Sequence, residues 1–187
     1  MIIKQRSDKP AVNKMQRSGA KVEKDVAFYL NREFSDSDKV FVFNDLRIEH
    51  KGEAAQIDHL ILYRHGFVLI ESKSIKGKVR VNRHLEWQRT YNNQWIGMPS
   101  PIAQATLQKD LLKAFLNHHA ELLLDKLIFI GLQTYFGGRA WDIVCASSNE
   151  TLIERDQIPS KVSEQLVKAE QVVGKVNKIV SSHRGIL

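Results

Sequence analysis

Residues 55–74 read AQIDHLILYRHGFVLIESKS. Two apolar runs flank Tyr-Arg-His-Gly, and charge lies at the ends far from that turn: Asp58 before the first run, Glu71 and Lys73 closing the second. Strand side chains alternate between faces. Over 55–63, one face carries Gln56, Asp58, Leu60 and Leu62, the other Ile57, His59, Ile61 and Tyr63. Over 67–74, one carries Phe67, Leu69, Glu71 and Lys73, the other Val68, Ile70, Ser72 and Ser74. Near the turn both faces are apolar, so this hairpin belongs to a sheet covered by helices on both sides.

Register decides what the charged ends can do. A tight turn centred on Arg64-His65 pairs Tyr63 with Gly66, Leu62 with Phe67 and Leu60 with Leu69, and by continuation Asp58 with Glu71 and Gln56 with Lys73. A three-residue turn would shift every pair. In the first register two carboxylates stand ~5 Å apart at Cβ, which destabilises a sheet. A cation between them, or a proton on one, removes the penalty. Lys73 is one such cation. A divalent metal is another, since Mg²⁺ binds through one or two carboxylates, waters and substrate phosphate. A strand-end ion pair, Asp58–Lys73 or Glu71–Lys73, uses the same residues at ~0–1 kcal/mol. Spacing alone favours the ion pair.

Around this hairpin the pattern is that of one α/β domain spanning residues 1–187,. Residues 1–11 form a polar, basic arm. Apolar residues from Val12 to Phe34 recur at helical steps,. Lys39–Ile48 reads as a strand, Lys78–Asn82 as a short one, and Leu85–Met98 as a hairpin with Asn92-Asn93 at its tip,. Pro99-Ser-Pro101 opens a helix from Ile102 to about Leu124,. Strands at Asp125–Tyr135 and Ala140–Ala146, joined through Gly137-Gly138, precede a last helix starting at Pro159-Ser160. That helix has Val162, Leu166, Val167, Ala169, Val172, Val173, Val176 and Ile179 on its apolar side.

The net charge of +7 and pI near 9.5 point to a polyanionic partner, nucleic acid before an anionic membrane surface,. No apolar run approaches the ~20 residues of a membrane span. The N-terminus lacks the apolar core of a secretory leader. Cys145, the only cysteine, lies in an apolar run and reads as a small core residue in a reducing, cytoplasmic setting. It excludes a zinc site built on several thiolates. The seven histidines show no HExxH-type spacing, and His59 falls on the face opposite Asp58,. Lys76, Lys78, Arg80 and Arg83 could hold phosphates, or form a solvated edge strand. Trp87, Tyr91 and Trp95 could stack on bases; core packing serves both tryptophans equally well. No Walker A, GxSxG or GxGxxG motif occurs,.

The combination is more specific than its parts. SGAKVEKDVAFYL, QIDHLIL…GFVLIESKS, KGKVRV, a Trp-containing hairpin and PSPIAQA together resemble the nuclease-related domain, NERD, of the PD-(D/E)xK restriction-endonuclease-like nucleases, from about Gly19 to Leu116. The resemblance implies a central mixed sheet flanked by helices on both faces. It also implies a Mg²⁺- or Mn²⁺-dependent nuclease acting on DNA, ahead of RNA. Asp58 matches the first motif acid, Glu71 the second, Lys73 the lysine, Glu23 the acid of the first helix and Gln104 the glutamine of the helix after the proline. Ile57 stands where a strict motif has proline, as is typical of NERD sequences. Asp58, Glu71 and Glu23 are then the metal set, with Gly19 allowing close helix–sheet approach. Without the resemblance, Glu23 and Gln104 read as ordinary helix residues. A non-catalytic nucleic-acid-binding or protein-interaction module on the same fold is the alternative. A homodimer, or a helicase or repair protein as partner, is compatible with either.

Overall fold

The computed structural model describes residues 1–7, 13–123 and 135–183. Its main sheet has six strands in the order β1-β2-β3-β4-β8-β10. These are β1 (Ile2–Lys4), β2 (Val40–His50), β3 (Glu53–Tyr63), β4 (Gly66–Lys73), β8 (Ala140–Ser147) and β10 (Leu166–Lys168). The sheet is mixed: β2, β3 and β4 are antiparallel neighbours, whereas β1, β8 and β10 join in parallel. Between β4 and β8 in the chain lie β5 (Lys78–Val81), β6 (Trp87–Tyr91) and β7 (Gln94–Met98). With β9 (Leu152–Ile153) they form a second sheet ordered β7-β6-β5-β9.

Helices cover both faces of the main sheet, as the two-sided apolar hairpin requires. On one side α1 (Lys14–Phe34) and α5 (Val172–Ser182) pack Val22, Val26, Leu30, Val172, Val176 and Ile179 against Val42, Ile61, Val68 and Ile70. On the other, α2 (Pro101–His118) packs Leu112 against Leu60, Phe67 and Leu69. Local chemistry fixes the ends. Asn13 forms a capping box with Gln16 at the start of α1,. Ser100 caps α2, with Pro101 in its first turn,. Lys51-Gly52, with φ of 49° and 82°, and Asn92-Asn93, with φ of 47° and 60°, make the left-handed turns of two hairpins,.

Several expectations change. Residues 2–4 are not part of a loose arm: they form edge strand β1, and the Met1 ammonium donates to the Ser37 and Val40 carbonyls. The helix expected to reach Leu124 breaks at His119, and a short α3 (Ala120–Leu123) follows. The last helix is interrupted: α4 (Ser160–Gln165) ends and the chain enters β10 before α5 begins. Adjacent Leu166 and Val167 suit a strand, and pairing with Cys145 and Ala146 satisfies backbone groups at the edge of β8,. Gly19 does not permit a close approach, since a Cβ there would meet nothing within 4 Å. The strand expected at Asp125–Tyr135 lies outside the described residues but for Tyr135, which is not in a strand. Among the described residues no helix is long and apolar enough to cross a membrane.

Candidate active site

The β3–β4 pairing runs from Tyr63↔Gly66 through Leu60↔Leu69 to His59↔Ile70, the register a two-residue turn imposes. It stops one pair short of Asp58 and Glu71. β2 is irregular at the same level. Its pairing with β3 passes from Asn44↔His59 to Leu46↔Ile57 and omits Asp45 and Asp58. Asp45 has a φ of 55°, the left-handed region that aspartate tolerates better than most residues,. The alternation of faces therefore breaks. Ile57 and Leu60 pack in the same cluster beneath α2, not on opposite faces as strict two-residue alternation requires.

Freed from the ladder, Asp58 uses its side chain in place of a backbone partner. Its Oδ2 accepts from the Ser72 N–H at 2.8 Å. The carboxyl is pushed up to about pKa 7, first by burial, then by the charge of Glu71. Glu23 pushes the same way, while the Ser72 hydrogen bond and Lys73 pull down. Gln56 does not meet Lys73: its amide donates to Asp45 Oδ1, and its carbonyl accepts from Gln108 Nε2 at 2.9 Å.

Glu71 is 2 % exposed. Lys73 Nζ lies 2.7 Å from its Oε1 and donates to Gln104 Oε1 at 2.9 Å. The other oxygen, Oε2, accepts from Gln108 Nε2 at 3.1 Å. Gln104 and Gln108 stand one helical turn apart on α2, so they present to one strip of sheet. Asp58, Glu71, Lys73 and Gln104 thus come together at the open end of the β3–β4 hairpin, brought by two strands and one helix. Glu23 approaches from α1, close enough for its charge to act on Asp58, and is paired with Arg6 at 3.3 Å.

The ion pair expected from spacing does form, on Glu71, and among the described residues no cation is paired with Asp58 at salt-bridge distance. Two carboxylates at the mouth of a buried strand pair suit one hard divalent ion, whose remaining positions water and phosphate fill. Among the described residues no group of three or more His, Cys, Asp or Glu is placed to hold an ion unaided.

Gln108 escaped the sequence reading, although its signal is there. It is 8 % exposed on the α2 stripe Pro101, Ala105, Gln108, Leu112, a polar residue at an apolar position. Buried amides need partners, and its two are the Glu71 carboxylate and the Gln56 carbonyl.

Lys76, Lys78, Arg80 and Arg83 lie on or beside the second sheet, outside the acidic cluster. Lys78 reaches Glu154 at 3.4 Å, and Arg80 lies 4.0 Å over the Trp95 ring. Trp87 is core, while Tyr91 is exposed. His59 is buried against Asn44 Oδ1 at 2.7 Å, and burial lowers its pKa to about 3, so it is neutral. Cys145 is buried beside Glu71 in β8, and burial raises its thiol pKa.

The model of the nuclease-related domain (NERD) family matches residues 18–131. This span holds both carboxylates, the lysine, Glu23 and both glutamines. Neither a curated protein nor a solved structure matched. With a match over more than half its length, the chain belongs to the nuclease-related domain family.

Proposed function

We propose that this protein is a nuclease that hydrolyses phosphodiester bonds in DNA or RNA with the help of Mg²⁺ or Mn²⁺ held by Asp58 and Glu71. The observation that supports it is the convergence of Asp58, Glu71, Lys73 and Gln104 around a carboxyl whose pKa is near 7. A bound divalent ion would polarise the scissile phosphate and acidify a water. The residues of the chain supply the rest. Gln108 holds Glu71 Oε2 in place, so Glu71 presents a fixed oxygen. Lys73, steadied by Gln104, keeps a positive charge beside the position where negative charge grows on the phosphate,. Asp58 gives up its proton near neutrality, so cation binding and proton loss are linked there.

The test is cleavage of single-stranded, duplex and branched substrates with Mg²⁺ or Mn²⁺. Asp58→Asn and Glu71→Gln are each expected to lower the rate about a hundredfold or more. Cleavage that survives both substitutions would falsify the reading. One observation favours a second one, a binding module without cleavage. The Arg80–Trp95 stack, with Tyr91 exposed on the same hairpin, is independent of the acids. It predicts salt-sensitive binding that EDTA and the two substitutions leave intact.

A further inference from the structure

An open groove of about 870 Å³ lies between the β2–β3 hairpin end and α2. Gln56, Gln104 and Gln108 line it, so it begins where the acidic cluster sits. It continues along α2 past Leu107 and Leu111 to Ala114, with Ala54 on the strand side. From Gln104 to Ala114 the helix rises ~15 Å, several nucleotides at the ~3.4 Å stacked spacing of one strand.

The chemistry of the walls discriminates between nucleic-acid forms. A duplex offers a protein its phosphates, one charge per ~1.7 Å. Among the described residues, this groove answers with apolar side chains and with Glu53 and Asp110 beside Lys51. A duplex gains little there. Unpaired bases offer flat faces that stack on aromatic rings, and a single strand carries its phosphates at about half the duplex charge density. The far end supplies aromatic rings. His50, which lines the groove, has its ring 5.3 Å from His118 and 6.2 Å from Phe115. The His119 ring lies 4.9 Å from that of His118 and 4.8 Å from that of Phe115. Desolvation, then His118, lower the His50 pKa, which favours the neutral, stacking form of the ring.

We infer that this groove holds an unpaired strand of the substrate, bases inward against α2 and the histidine cluster, and delivers its phosphate to Asp58 and Glu71. The inference rests on the nuclease reading for its direction but not for its binding prediction. It names single-stranded DNA or RNA, or a frayed end, as the substrate class.

Binding of fluorescein-labelled oligothymidylate and of a labelled DNA hairpin duplex, both in EDTA, separates the possibilities. Leu107 is 73 % exposed and Ala54 is exposed, so Leu107→Glu with Ala54→Glu adds charge to the groove without touching the core. A thermal melt checks the fold. The double variant is expected to lose at least about tenfold in oligothymidylate affinity, with duplex affinity unchanged. His118→Ala is expected to lose a few-fold. Unchanged oligothymidylate binding, equal loss for both probes, or no binding of oligothymidylate by the unaltered protein each overturns the inference. In the last case an apolar protein segment becomes the better occupant. Adding Mn²⁺ tests the nuclease reading separately. Selective loss of strand binding in a protein that cuts nothing sinks that reading and leaves the groove. Undiminished cutting of the oligonucleotide by the double variant does the reverse.

Discussion

The two ends of the β3–β4 hairpin are built from opposite rules. At the turn end, Tyr63 to Gly66 closes a regular ladder, and Phe67 stacks on Trp141 with ring centroids 4.4 Å apart. At the open end the ladder stops, a side chain replaces a backbone partner, and two carboxylates, Glu71 buried and Asp58 partly so, sit against the same core. The turn end is held mainly by packing, with the Tyr63 hydroxyl buried in it. The open end is satisfied only in part, by Ser72, Lys73 and two glutamines from α2. The cost of the two carboxylates falls at the open end, where a cation or a proton can relieve it.

That contrast is most exposed to test through pH. The folded Asp58 carboxyl keeps its proton to about pH 7, whereas an unfolded one loses it near 3.8. Between those values the native state binds more protons. Stability therefore falls as pH rises through the window, and the whole cost is present above pH 7. One pKa unit is worth about 1.4 kcal/mol, so the shift sets a ceiling of about 4 kcal/mol. Asp58→Asn is expected to raise the melting temperature at pH 8 and to change it little at pH 4. The same variant is expected to lose the pH-dependent component of Mn²⁺ affinity, read by titration calorimetry at pH 6 and pH 8. Equal melting shifts at pH 4 and pH 8 would show that packing, not the buried charge, sets the cost.

The turn end predicts an effect of the other kind, insensitive to pH. A Cβ on Gly66 would lie 2.1 Å from the Ala140 carbonyl oxygen and 2.7 Å from its carbon, both backbone atoms of the parallel neighbour. Nothing flexible can move aside. Gly66→Ala is expected to cost about 1–3 kcal/mol, equally at pH 5 and pH 8 in urea denaturation. A cost that tracked pH would mean the two ends are coupled through β4.

The same contrast explains what the sequence made legible. Register at the turn end follows from a two-residue turn and a two-residue period, both local, and it was readable down to the pair Leu60↔Leu69. The residues of the open end were readable as types and as members of a family pattern. Their arrangement was not: the sheet is irregular at Asp45, a residue of another strand with a left-handed backbone and no glycine to announce it. Gln108 needed only the observation that an amide interrupts an apolar stripe. β10 was lost to helical periodicity because Leu166 and Val167 suit either element, and only the unpaired edge of β8 decides,. The basic residues after the motif were legible as charge, but their placement on a second sheet, with Arg80 over Trp95, is a tertiary fact.

A second glycine closes the comparison from the open end. Gly19 lies within α1, one helical turn before Glu23, where family likeness suggests a close helix–sheet contact. A Cβ there meets nothing within 4 Å, in contrast with Gly66. Glycine inside a helix is less favourable than alanine by about 0.8–1 kcal/mol, chiefly through backbone entropy. Gly19→Ala is therefore expected to stabilise the fold by up to about 1 kcal/mol, a small rise in melting temperature of sign opposite to Gly66→Ala. If it stabilises and leaves cleavage or strand binding unchanged, the helix needs no glycine to bring Glu23 near Asp58. If it stabilises yet abolishes either activity, the open space above Gly19 is space that the substrate fills, and the charged end of the hairpin extends across both faces of the sheet.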